Sequence, residues 1–574
     1  MLKTGRCGRD RLGKTRTLAA LFPAAPVNAI LSRSLVVEMR TIGLVVVALV
    51  LLLAAPAPLA SMPKQGGAAV ITFNNDLTTL DPQVGYDWQN WSAIKSLFDG
   101  LMDYKPGTTE LEPDLAESYT VSDDGLTYTF KLHEGVKFHN GRPLTASDVK
   151  YSLERAVNPA TQSPGGGYYS MIKGFDDLTA GRAKELSGIA TPDDKTVVFT
   201  LTRPDATFLH LLALNFAHVV PKEEVEKAGA DFGRRPVGTG AFKFIEWVPG
   251  QRIVLERNTQ YFHKGIPYLD KLTFEFGQDP TVAVLRLARD EVDIVGDGIP
   301  PAQFTTIMAD PANKDLISEG ALPHTSYVAM NVTRPPFDNL KVRQAVNMAI
   351  NKQRIVRFIN NRATPATQIP PPVMPAYNPD NKGYAYDPEG AKKLLAEAGT
   401  GEITTELYVM NVDPEPRIAR AIQQDLAEIG IKAEIRYMTQ TEVIAAGGSG
   451  NAPMIWSGGM AWIADFPDPS NFYYGILGCA GAVEGGWNWS KYCNHAIDAR
   501  AAKADVMVKT NEKDARIVEW KAIFDDLLKD APLAPIFNDK RFTYHSARIR
   551  SEEGAFTDPT RLPVNYDHIF LLEN

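Results

Sequence analysis

Residues 403–438 read ITTELYVMNVDPEPRIARAIQQDLAEIGIKAEIRYM. Ile403–Met410 reads as a strand, Ile418 to Gly430 as a helix and Lys432–Met438 as a second strand. Strands joined through a helix lie parallel, because a hairpin turn is too short to return the chain to the same end. This unit therefore predicts an α/β lobe with helices packed on a parallel sheet.

The same pattern extends in both directions. Upstream, Asp387-Pro388-Glu389 opens a helix with Pro at its first position, Leu394, Leu395 and Ala398 inside and Gly399 closing it. Pro370-Pro371-Pro372 makes a crossing. Ser326–Asn331 reads as a strand, and Pro335-Pro336-Phe337-Asp338 starts a helix with Asp338 as N-cap and Val342, Val346, Ala349 and Ile350 on one face. Downstream lies Trp456 to Tyr474, WSGGMAWIADFPDPSNFYY, with six aromatic rings, two carboxylates (Asp465 and Asp468) and two glycines. Ligand pockets combine apolar walls with a few placed polar groups, and this stretch supplies both. A buried turn whose aspartates cap local N–H groups fits the same residues, so they leave both readings open. A helix around Ile517–Leu528 and the strand Ala534–Asn538 follow.

The first half of the chain is richer in hairpins. Ala69–Phe73 reads as a strand. Tyr86-Asp87-Trp88 and Trp91 lead into a helix carrying Ile94, Leu97, Phe98 and Leu101. Asp123-Asp124-Gly125 turns a hairpin in which Leu126, Tyr128, Phe130 and Leu132 alternate with polar residues. Thr145-Ala-Ser-Asp148 is a capping box for a helix with Val149, Leu153 and Ala156. Val197, Phe199 and Leu201 share one strand face. Together these predict a small α+β unit. Gly238-Thr-Gly240 lacks a third glycine and is followed by strands, which excludes a dinucleotide-binding turn. The strands Phe242–Trp247, Ile253–Arg257 and Lys271–Phe276, a helix with Val282 to Leu287 and the strand Glu291–Val295 complete this block.

The chain has 574 residues, too many for one core. Met39-Arg40 precedes the apolar run Ile42 to Ala55 and a small-residue exit ending at Ala60, which has the form of a secretory signal peptide. The expected start is Met39, with cleavage near Ala60–Ser61. No Cys follows the run, so no lipid anchor is expected after cleavage. Residues 1–60 hold eight basic and two acidic side chains, so the remainder carries 52 and 66, a net charge of −14. That charge repels nucleic acid and anionic membrane surfaces, and neither is expected as a partner. Cys7 leaves with the leader. Cys479 and Cys493 stand close together in a loop rich in Gly and Trp, a spacing that favours a disulfide in an exported chain.

Several separate motifs resemble the solute-binding proteins of the peptide and nickel class of ABC importers, the dipeptide- and oligopeptide-binding protein family. They are Leu115-Ala-Glu-Ser-Tyr, the run Phe130 to Leu153, Val237-Gly-Thr-Gly-Ala-Phe, Pro335-Pro-Phe-Asp-Asn-Leu-Lys-Val-Arg-Gln-Ala and Ala464-Asp-Phe-Pro-Asp-Pro, in the family's order. The resemblance implies a two-lobed α/β periplasmic binding protein with an extra α+β domain inserted in the first lobe and a ligand cleft between the lobes. It places lobe I in residues 62–95, 236–322 and 536–574, the inserted domain in 96–235 and lobe II in 323–535. It implies a monomer that gives a peptide-like solute to importer membrane subunits. Asp465 would hold a peptide's ammonium group, with Trp462, Met460, Trp456, Tyr86, Asp87 and Trp88 around the ligand and Cys479 bridged to Cys493. The family's carboxylate-binding Arg belongs in the loop Asn411-Val-Asp-Pro-Glu-Pro-Arg417, where an Arg comes only at 417.

Enzymatic motifs are not found. Gly447-Gly-Ser-Gly450 is followed by Asn451, not the Gly of a nucleophile elbow. The nine His never pair at metal-ligand spacing on a helix, so no cofactor or metal is expected. His133 and His139 read as surface or capping residues. An oligosaccharide or other solute, a secreted hydrolase, and a binding protein serving a chemoreceptor are the alternatives.

Overall fold

A computed structural model describes Pro63, residues 65–552 and residues 554–572. The expected leader and Cys7 lie outside these residues. Among the described residues no helix is long and apolar enough to cross a membrane.

The strand–helix–strand unit forms as its sequence predicts. Ile403–Met410 pairs in parallel with Ile431–Met438, in register from Ile403 opposite Ile431 to Met410 opposite Met438. The helix between them, Glu415–Glu428, buries Ile418, Ile422 and Leu426. These lie four residues apart and so share one face. It starts three residues earlier than expected, with Pro416 in its first turn, where no N–H is missed.

Among the described residues this pair is the end of a thirteen-stranded sheet. Its main path uses β1 (Ala68–Thr72), β2 (Phe242–Val248), β3 (Arg252–Arg257), β4 (Lys271–Glu275), β5 (Ile294–Val295), β6 (His324–Met330), β7 (Ile403–Met410), β8 (Ile431–Met438), β9 (Met454–Trp456) and β10 (Leu533–His545). The spatial order is β8-β7-β9-β6-β10-β5-β1-β4-β3-β2. β10 holds the two ends together. Its start pairs with β6, Ala534 opposite Val328, and its end pairs with β5, Tyr544 opposite Val295. At about 3.3 Å per residue it spans roughly 40 Å, enough to serve two cores. One core gathers Val328, Phe337, Val346, Ile422, Trp456 and Phe537. The other gathers Ile71, Leu97, Phe242, Leu255, Phe274 and Ile569.

A separate antiparallel sheet orders Ala116–Val121, Thr127–Leu132, Thr196–Thr200 and Ile189–Asp193. Its core runs from Leu101 to Val219 and includes Phe130, Phe199 and Phe208. Thr145 and Asp148 make the expected capping box for Ala146–Val157.

Three local expectations change. The helix after Pro335-Pro336 begins at Leu340 and is capped by Asn339, whose side chain accepts from Lys341 N at 3.0 Å, not by Asp338. The helix after Tyr86 ends at Leu97, so Phe98 and Leu101 pack from extended chain. The strand expected over 291–295 shrinks to Ile294–Val295. Asp293, fully buried, accepts instead from Val70 N and takes Arg548 as a two-pronged partner. Of the two roles expected for it, half-buried His139 takes the capping one. Gly238 N donates to its Nδ1 at 3.2 Å, while Nε2 lies 3.0 Å from Gly240 O. Burial lowers its pKa to about 4, so it stays neutral and ties down this turn. The glycines there serve close packing, since a Cβ on Gly238 would lie 2.0 Å from Leu97 O.

Candidate functional site

The stretch 456–474 is placed by its two ends. Trp456 closes β9, and its indole N–H donates to Glu415 Oε2 at 2.6 Å. Both side chains are buried, and burial pushes the Glu415 carboxyl up to about 7. The next residues pass directly over this pair. A Cβ on Gly458 would lie 1.9 Å from Glu415 Oε2, and Gly459 has φ +72°, which explains the glycine pair. At the other end Asp468 caps the helix Pro469–Ile476, accepting from Ser470 N at 3.0 Å. Between them Trp462–Ile463 bridges to β6, and Ala464 N donates to Pro323 O at 2.8 Å. Asp465 stands in the loop so formed, half-buried.

Three segments far apart in sequence meet at its carboxylate. Tyr86, in the loop after β1, donates its hydroxyl to Oδ1 at 2.8 Å. Tyr168, from the turn Gly166–Tyr169, donates to Oδ2 at 2.6 Å. Asn471 donates to Oδ2 at 3.1 Å, while its own carbonyl accepts the Trp462 indole N–H at 3.0 Å. Tyr86 is 48% exposed as a whole, with its hydroxyl on the Asp465 carboxylate. Desolvation, followed by the Asp465 charge, raises the pKa of both phenols, so they remain neutral donors. Among the described residues no cation pairs with Asp465. The carboxylate has hydrogen bonds but no counter-charge.

The other expected site residues are spread over different surroundings. Trp456 is fully enclosed, its ring 5.7 Å from Phe537, which makes it a core residue and not a ligand surface. Met460 is nearly buried in the cluster containing Met410 and Phe472. Trp462 is half-buried beside Asn471. Asp87 turns away from Asp465 and accepts from Thr78 Oγ1 at 3.0 Å and from Asn90 Nδ2 at 3.4 Å. Trp88 opens the helix Trp88–Leu97, and its side chain lies outside the described set. Arg417 pairs with Asp413 through two 2.8 Å contacts, both partners exposed. Tyr168 is absent from the sequence-based set. Nothing beside it in the chain marks it as a partner of an acid 297 residues away.

Cys479 and Cys493 form a disulfide across a separation of 14 residues. Among the described residues the one cluster with metal-ligand proximity is this pair with His495, and its sulfurs are bonded to each other. Replacing both cysteines by Ser should lower stability by about 3 kcal/mol in the chain-entropy account of loops this size. Denaturant unfolding of the exported protein and of the variant measures it. Equal midpoints would show that the bridge adds nothing.

The description Bacterial extracellular solute-binding proteins, family 5 Middle, fits residues 110–484. Two curated relatives are the Di/tripeptide-binding protein 2 of Pseudomonas aeruginosa, 31% identical across 85% of this chain and 92% of its own length, and the Dipeptide-binding protein of Escherichia coli K12, 34% identical across 76% and 85%. A similar solved structure is the periplasmic binding protein DppA of Helicobacter pylori in complex with the peptide STSA. It has a TM-score of 0.71 and 27% identity, and the match covers 89% of this chain and 99% of that one.

Proposed function

The chain belongs to the bacterial extracellular solute-binding proteins of family 5, a family of transport proteins and not of enzymes, and from this we propose that it carries a peptide-like solute whose ammonium group sits on Asp465. The observation that carries the reading is the cage of neutral donors around that carboxylate. This half-buried carboxylate is held by hydroxyl and amide groups with no ion partner among the described residues, and a ligand ammonium can pair with it through a charge-assisted bond. The names of the relatives support the same ligand class, since two are described as binding dipeptides or tripeptides. In this reading the protein is exported through the leader at residues 1–60, works outside the cytoplasm as a monomer and delivers its solute to the membrane subunits of an ABC importer.

Mass spectrometry of the solute released from gently purified, denatured protein tests the class. A peptide or another primary amine supports it; a sugar with no amine overturns it. Closure is a second consequence. Tyr86 and Tyr168 reach Asp465 from different parts of the chain, so ligand binding at this point should favour the arrangement in which they meet. Small-angle scattering is expected to show a smaller radius of gyration at ligand saturation. No change, starting from a demonstrably open state, would remove the hinge from the mechanism.

A further inference from the structure

A cavity of about 590 Å³ lies beyond Asp465, between the turn that carries Tyr168 and the helix His495–Asp505. We propose that it is a second binding chamber, separate from the Asp465 site, for a small organic cation with an aromatic or alkyl body. Its size is in the range of small-molecule sites, roughly 300–1,000 Å³. Trp462, Phe466 and Tyr474 supply ring surfaces, and Leu211 also lines it. Aromatic faces of this kind attract cations.

The charges around it are unbalanced. Asp205 and Asp505 both line the chamber. Arg516 donates to Asp505 at 3.2 Å, and its two terminal nitrogens also donate to Asp468 at 2.7 and 2.8 Å. Arg203 stands 3.7 Å from Asp205 with more than half its side chain in solvent. Three carboxylates thus face two guanidinium groups, of which only Arg516 is buried. Burial, then the Asp468 charge, pushes Asp505 up to about 7 even though Arg516 donates to it. A ligand cation would add counter-charge there. The chamber is distinct from the other site because Asp465 does not line it. Tyr168 and Asn471 do line it, and both hold Asp465 Oδ2 from that side. The chamber therefore requires no assumption about what Asp465 binds.

Phenethylammonium is a suitable probe, titrated by calorimetry into the exported protein, with 3-phenylpropionate as the same body of opposite charge. Saturable one-site binding of the cation is expected, with the anion weaker by at least about tenfold. Asp505→Asn should weaken the cation by a similar factor. Ala502→Trp, which fills the chamber from its lining helix without altering charge, should abolish binding and serves if Asp505→Asn fails to fold. No saturable binding, equal binding of both probes, or undiminished binding to Ala502→Trp each overturns the proposal. Loss of probe binding in Asp465→Asn with retention in Asp505→Asn would place the probe in the other site and overturn it as well.

Discussion

Asp465→Asn is expected to weaken binding of the native solute by on the order of 2–5 kcal/mol while leaving the fold intact. The substitution keeps the shape and most hydrogen-bonding capacity of the side chain and removes its charge. Tyr168 can still donate to the amide oxygen while the Tyr86 hydroxyl accepts from the amide nitrogen, so the loop should hold its position. What is lost is the charge that pairs with a ligand ammonium. The same argument applies from the ligand side: an N-acetylated form of the solute should bind the native protein poorly. Calorimetry with the solute identified by mass spectrometry measures both. Unchanged affinity in Asp465→Asn would make Asp465 a structural residue, joined by hydrogen bonds to Tyr86 and Tyr168, and would leave the peptide reading without its main support.

The second large effect concerns stability. Arg516→Met is expected to destabilise the part of the molecule around Asp468 by about 3–5 kcal/mol. Arg516 donates to both oxygens of Asp468, at 2.7 and 2.8 Å, and neither side chain is more than 7% exposed. It also donates to Ala504 O, so one guanidinium ties the 456–474 stretch to the two helices that follow. Removing it leaves a buried carboxylate without its ion partner, which costs more than the pair contributes when intact. The folded chain should also show the pair in acid. Burial alone would raise the Asp468 pKa, but the Arg516 charge and hydrogen bonds outweigh it and lower the value from 3.8 to about 2. The unfolded chain therefore takes up this proton first. The pair's contribution, about 2 kcal/mol, is full above roughly pH 5 and falls away as the pH drops toward 2. Urea unfolding across that range checks it. Arg516→Met should flatten this part of the acid dependence, and a loss under 1 kcal/mol at neutral pH would mean that solvent replaces the pair.

The sequence by itself determined the parts of this protein that depend on near neighbours. The parallel unit at 403–438 is readable because period-two and helical spacings are local, and because a helical crossover forces its strands parallel. The capping box at Thr145 and the Pro388-to-Gly399 helix are fixed within a few residues for the same reason. The separate motifs carried the family. The resemblance pointed to Asp465 as the partner of a ligand ammonium, and a turn capped by the aspartates was one of the two readings open for this stretch. Asp468 does cap that turn, but its ion pair with Arg516 crosses 48 residues.

Only the tertiary structure decided which aromatic rings surround the acid. Six rings in 456–474 look alike in one dimension. In the fold Trp456 enters a sheet core, Phe466 packs into the core that runs from Leu101 to Val219, and Trp462 and Tyr474 line the chamber. The two tyrosines that reach Asp465 lie 379 and 297 residues from it. A hydroxyl that will meet a carboxylate leaves no trace in the residues beside it. Its partner is set by where β1 and the turn at Gly166–Tyr169 finally sit, and that placement depends on packing across the whole sheet, which no local spacing encodes.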